Sequence, residues 1–176
     1  GYTVENANLT ADQIAACEAS AKAVLAMYGA DNIWADVVYQ RAYELAVTSV
    51  AYDQPIGTAE DLLDSVGQEL LLGKISIDTE TYNADYNKFV HVLVQQYSAD
   101  GNNGAQIVAQ MMVDAAINLN GAVMDAGTAG ELVAEITKAL EPLAGSELPD
   151  YYAEDVSGLA EVGYIEAAGT LLWNAD

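Results

Sequence analysis

Three side chains with distinctive chemistry occur once each in the 176-residue sequence: Cys17, His91 and Arg41. One cysteine cannot form an internal disulfide, and one cysteine with one histidine cannot supply a closed four-ligand zinc site. The Glu-x-x-His pairs of di-iron bundles, the Cys-x-x-Cys-His of covalent haem sites and the Gly-x-Ser-x-Gly of hydrolases are also absent from the sequence. We therefore predict a protein that is not an enzyme, although chemistry based on Asp, Glu and Tyr alone stays open.

Arg41 is expected on the apolar side of its helix, because a period of about 100° per residue places it near Trp34 and Leu45. A buried guanidinium without a partner costs several kcal/mol, so an anion must lie beside it. That anion is either a carboxylate such as Glu44, in a structural bridge, or a bound anionic ligand. Arg41 is thus a candidate anion-binding residue.

His91 and Cys17 each have a structural and a functional interpretation. His91 lies about 100° away from the apolar line through Tyr86, Val90 and Leu93, which predicts a position beside the core and not at its centre. A hydrogen-bonded structural histidine is the first interpretation, and ligand binding or proton transfer is the second. Cys17 lies on the apolar face of the first helix, where it is expected to be a small buried side chain.

Clustered side-chain oxygens suggest a calcium site. The turn at residues 100–104 offers Asp100, Asn102 and Asn103 as candidate Ca²⁺ ligands, although glycine is not at the sixth position of an EF-hand loop. Carboxylates also recur four residues apart, where like charges on a helix repel slightly. These pairs are Glu60/Asp64, Glu131/Glu135 and Asp150/Glu154.

Net charge is the strongest feature of the composition. Five Lys and Arg residues stand against 27 Asp and Glu residues, which gives a formal net charge of −22. Such a surface is expected to avoid nucleic acid and anionic membranes. The lysine-poor, nearly cysteine-free composition favours an extracellular, cell-surface, marine or salt-adapted protein, and an ordinary acidic cytosolic protein is the alternative. No apolar run approaches the roughly 18 residues that a transmembrane span requires.

Apolar residues recur at three- and four-residue steps through most of the chain, which predicts an all-α bundle of about six to seven helices with short loops. The predicted helices cover 10–29, 31–52, 58–73, 78–98, 103–119 and 128–140, with a seventh from about 150. The predicted caps include Thr10, Asp31 and Thr128. Ile75–Ile77 is expected to be an extended linker. We predict one domain over 1–176, with a subdivision near 73–78 or 142–149.

Three functions are compatible with these features. The first is a non-catalytic secreted or cell-surface domain that acts through a protein partner or self-assembly, with Ca²⁺ as a potential aid to assembly. The second is a carrier that holds an apolar or pigment-like small molecule between helices, oriented by Arg41, His91 and tyrosines. The third is an acidic mimic of nucleic acid, which the scattering of carboxylates along every helix disfavours.

The stability of the folded chain should rise with ionic strength. The 22 net negative charges lie about 19 Å apart on an expected surface of roughly 8,000 Å². The electrostatic screening length is about 30 Å at 0.01 M salt and about 8 Å at 0.15 M salt. Thermal unfolding measured at these two salt concentrations should give a higher Tm at the higher one. An unchanged Tm would contradict the expected self-repulsion.

Overall fold

The computed structural model describes residues 7–72 and 82–145, and the regular structure in these ranges is entirely helical. This confirms the all-α prediction. The described ranges contain six α-helices: α1 (Ala11–Tyr28), α2 (Ala35–Ala51), α3 (Ala59–Leu71), α4 (Tyr82–Tyr97), α5 (Gly104–Asn118) and α6 (Ala126–Leu140). Two short 3₁₀ helices are η1 (Ala99–Gly101) and η2 (Glu141–Leu143). The predicted linker at Ile75–Ile77 and the predicted seventh helix lie outside the described residues.

The described residues fall into two compact units, which divide within α3 between Gly67 and Gln68. The first unit contains α1 and α2, and the second contains α4, α5 and α6. The single-domain organisation stays a prediction. Each unit is described separately below.

In the first unit, α1 and α2 form an antiparallel hairpin with small side chains between the helices. Cys17 near the start of α1 packs against Ala46 and Val47 near the end of α2. At the opposite end, the Tyr28 hydroxyl donates a hydrogen bond to the Ile33 carbonyl. Small side chains at the contact allow two helix backbones to approach closely. The other fully buried residues of these two helices are Ala21, Val24, Val38 and Ala42.

Two details of the predicted α2 are wrong. Asp31 does not cap the helix, which begins at Ala35 after Trp34 in the left-handed conformation (φ 60°). The residues before Trp34 instead form the hairpin connection, where the Asn32 side chain donates to the Tyr28 carbonyl. Tyr52, which the helical period places in line with Trp34 and Leu45 on the predicted apolar face, is 61 % exposed. Alanines occupy the contact with α1, and an analysis based on large apolar residues overlooks them.

In the second unit, the middle of α4 is buried on every side. All six residues from 89 to 94 are buried, which is more than one full helical turn. α4 packs on α5, and α5 packs on α6. The predicted helix is confirmed here, because tertiary burial outweighs the weak helix preference of its β-branched residues.

Side-chain caps fix the starts of several helices. The predicted capping box of α1 is present: Thr10 Oγ1 accepts from Gln13 N at 3.2 Å, and Gln13 Oε1 accepts from Thr10 N at 2.9 Å. The predicted cap at Thr128 is wrong. α6 begins at Ala126, and Asp125 Oδ1 accepts from Thr128 N at 2.7 Å. The Asp125 carboxylate, three residues before Thr128, accepts from the Thr128 amide, and Gly127 is tolerated in the first turn of α6.

The connection between α4 and α5 depends on a close backbone approach at Gly104. A Cβ atom added there would lie 2.2 Å from both Ser98 Oγ and the Val94 carbonyl oxygen. Asn103 caps α5 by accepting from Gln106 N at 3.2 Å, as the sequence predicts. Glycine is therefore required at the point where the chain turns back against the end of α4.

Gly104→Ala should destabilise the protein, whereas Gly130→Ala should stabilise it. Overpacking at position 104 is expected to cost about 1–3 kcal/mol of unfolding free energy. Gly130 lies in α6, is exposed, and has no atom within 4 Å of an added Cβ. Its replacement should add about 0.5–1 kcal/mol through helix propensity. Urea unfolding of both variants measures the two effects, and a stable Gly104→Ala protein would contradict the close approach.

Candidate functional site

Arg41 forms an ion pair with Glu44, the carboxylate that the sequence analysis names as its structural partner. Arg41 Nη1 lies 3.1 Å from Glu44 Oε2, one turn further along α2. The two side chains are 27 % and 37 % exposed. Arg41 is thus only partly buried, and water remains in contact with it. The geometry fits a modest surface bridge better than a fully buried charge, and an anionic ligand at Arg41 stays a prediction.

His91 is more deeply placed than its position on the helical wheel predicts. The side chain is 3 % exposed, within the buried stretch of α4. His91 would lie beside the core if only one face of α4 were packed, but residues 89–94 are buried all around the helix. His91 Nε2 lies 3.4 Å from Gln95 Nε2, one turn later on the same helix. His91 therefore contributes to the interior of the second unit, whereas Arg41 belongs to the first unit.

The three candidate Ca²⁺ ligands lie in the connection between α4 and α5. Asp100, Asn102 and Asn103 are all exposed. Asn103 Oδ1 already accepts the capping hydrogen bond from Gln106 N at the start of α5. Asp100 adopts a left-handed conformation (φ 60°), which serves the tight turn. Within residues 7–72 and 82–145, no three His, Cys, Asp or Glu side chains are grouped so that they could hold a metal ion. Calcium binding at this turn stays a prediction.

The chain's one thiol is part of the packing. Cys17 is fully buried, as predicted, and burial raises the pKa of its thiol. Burial also raises the pKa of the Tyr28 phenol at the other end of the hairpin. Because the thiolate is the reactive form of cysteine, a buried neutral thiol has little nucleophilic reactivity. Both side chains stabilise the first unit.

The connection between α5 and α6 exposes large apolar side chains, and we call residues 119–125 the contact loop. Leu119 is 40 % exposed and Val123 is 98 % exposed. Backbone hydrogen bonds to the last turns of α5 hold this segment: Leu119 N to Ala115 O (2.9 Å), Asn120 N to Ala115 O (3.2 Å) and Ala122 N to Ala116 O (2.9 Å). The apolar side chains are therefore displayed on a backbone that is tied to the helix.

The sequence surrounding the contact loop is anionic. Between Lys88 and Lys138 the sequence contains no lysine or arginine, but it contains Asp100, Asp114, Asp125, Glu131 and Glu135. Asp125 ends the contact loop, and hydrogen bonds from the backbone and side chain of Thr128 hold the pKa of its carboxyl below the usual range. Asp125 is consequently ionised at neutral pH, next to exposed apolar surface.

The apolar period of the sequence does not identify the contact loop. Leu119 ends the helix predicted over 103–119, and Val123 lies outside every predicted helix. The available signal was Val123 itself, since it lies in an irregular segment between Gly121 and Gly127, where no helix face is available to bury it. The exposure of Leu119 and Val123 depends on the residue at which α5 ends, and the apolar pattern does not fix that residue.

Replacing Arg41 by methionine tests its two interpretations. Methionine keeps an apolar stem, so a structural bridge predicts a loss of only about 0.3–0.5 kcal/mol in unfolding free energy. A double-mutant cycle with Glu44→Gln should recover a coupling of that size. If inorganic phosphate at constant ionic strength raises the Tm of the wild type and not of the Arg41→Met variant, Arg41 binds an anionic ligand.

Comparison with known proteins yields no relative from which a function could be transferred. No protein family, no curated protein and no solved structure matches the chain. Among the described residues, no helix combines the length and apolar character that a membrane span requires. The chain's own residues are therefore the basis for proposing a function.

Proposed function

We propose that this protein is a non-catalytic helical domain that acts through contacts with another protein, and that the contact loop is part of its binding surface. The observation that carries this proposal is the nearly complete exposure of Val123, beside Leu119, on a segment anchored by backbone hydrogen bonds. An anchored apolar side chain loses little conformational freedom on binding, which favours affinity.

The burial of the reactive side chains supports this proposal. Cys17 and His91, the one thiol and the one imidazole of the sequence, are both buried in the packing of their units. Their positions serve the stability of the fold. The acidic, lysine-poor composition supports an extracellular or cell-surface location for such a domain. The carrier and the nucleic-acid mimic stay predictions.

The expected partner presents a segment that combines apolar and basic side chains. Complementary charge brings such partners together faster and disfavours like-charged ones. This chain has a net charge of −22, and its 49 residues from 89 to 137 include no lysine or arginine. It therefore offers a negative surface to such a partner. A second copy of this chain carries the same negative charge and would be repelled. We therefore propose a cationic protein partner and not self-association.

Binding of model peptides measures this preference. The probe is a synthetic peptide of alternating leucine and lysine, compared with peptides in which serine replaces leucine or glutamate replaces lysine. The leucine–lysine peptide should bind the wild type most tightly in fluorescence anisotropy. Val123→Ser should weaken that binding by about tenfold, the equivalent of losing the burial of one valine side chain.

Tyr52→Ser is the matched control, because Tyr52 is another exposed apolar side chain, lies in the first unit, and its replacement leaves the net charge unchanged. It should bind like the wild type. Equal weakening by both substitutions, or equal binding of the lysine–serine peptide, would contradict the role of the contact loop. Dimerisation that depends on Val123, seen by analytical ultracentrifugation, would assign the loop to a second copy instead.

A further inference from the structure

The sequence contains two Asn-Gly pairs, Asn103-Gly104 and Asn120-Gly121, and this pair has a reactivity of its own. The backbone nitrogen of the residue after asparagine can attack the side-chain amide carbon and close a five-membered ring. A Cβ on the following residue hinders this attack, and glycine has none. Whether the reaction occurs in a folded protein depends on the freedom of the local backbone.

The fold restrains the first pair. Asn103 Oδ1, in the side-chain amide that would have to react, accepts a hydrogen bond from Gln106 N at 3.2 Å. Gly104 is the first residue of α5 and is buried against Ser98 and Val94. Neither the side chain nor the glycine nitrogen is able to move into the ring geometry unless the start of α5 opens.

The second pair is less restrained at its glycine. Asn120-Gly121 lies in the contact loop, where Gly121 is exposed and an added Cβ would meet no atom within 4 Å. Asn120 N and Ala122 N are the anchored amides, each bonded to a carbonyl of α5. The peptide unit that must rotate lies between these two anchors; Asn120 is half-buried, whereas Gly121, which supplies the attacking nitrogen, is exposed.

We infer that Asn120 is a site of spontaneous deamidation in the folded protein and that Asn103 is protected. The Gly121 nitrogen forms a bond to Asn120 Cγ and gives up its proton, and the bond from Cγ to the amide nitrogen breaks to release ammonia. Water then opens the cyclic imide at either of its two carbonyls. The products carry aspartate or isoaspartate at position 120. The inference is independent of the proposed function.

This reaction alters the contact loop. It places a carboxylate just beyond α5, at the negative end of the helix dipole, where an anion is unfavourable. The isoaspartate product also adds one backbone carbon between the two anchored amides, which shifts Leu119 relative to Val123. A population of this protein should therefore change the shape and charge of its contact loop with age.

One tryptic peptide makes the test internally controlled. Cleavage after Lys88 and Lys138 releases residues 89–138, which carry both Asn-Gly pairs. Folded protein is incubated in mildly alkaline buffer at physiological temperature, then digested and sequenced by fragment-ion mass spectrometry. A mass increase of about one dalton should accumulate at position 120 at roughly ten times the rate at position 103 or faster, because reaction at 103 requires local unfolding.

Two further samples complete the design. Protein unfolded in urea should react at both positions, which shows that the fold protects Asn103. Asn120→Gln keeps an amide but cannot close the five-membered ring readily, so the folded variant should show no gain at position 120. An intact Asn120 in folded protein, or equal rates at the two positions, would overturn the inference.

Discussion

The close approach of helix backbones, made possible by small side chains, is the constraint on which both units depend. In the first unit, Cys17 and Ala46 lie between α1 and α2. In the second, Gly104 allows the start of α5 to lie against the end of α4. Protein interiors are packed as tightly as organic crystals, so an added methyl group at such a contact must displace a neighbour. Helices that meet through small side chains therefore lie close together, and side chains on several faces of one helix become buried.

This packing determines which side chains are available for chemistry. His91 and Cys17 occupy interior positions because the helices that carry them are covered where these residues lie. The exposed apolar residues Leu119 and Val123 lie where a helix has ended and no described neighbour covers them. The proposed recognition by surface contact fits this distribution, since Leu119 and Val123 are exposed whereas Cys17 and His91 are buried.

The negative charge is accommodated by its placement. Acidic side chains occur in the first turn of four helices, where the helix dipole favours an anion: Asp12 in α1, Asp36 in α2, Glu60 and Asp61 in α3, and Asp85 in α4. Asp125 contributes in another way, as the cap of α6. Local gains of this kind offset part of the self-repulsion of the chain. The remaining field favours cationic partners.

The sequence by itself determined the helical class, the helix order within the described ranges and several helix ends, because a 3.6-residue apolar period and side-chain caps such as Thr10 and Asn103 act within a few neighbouring residues. It also offered Glu44 as a partner for Arg41, because the two residues lie one turn apart on α2. Other features were decided only by tertiary structure: the burial of small residues on α2, the burial of His91 and the exposure of Val123. Each of these depends on which surfaces a neighbouring helix covers, and a helical period gives a residue's direction around its own axis but not the number of neighbours that surround that axis.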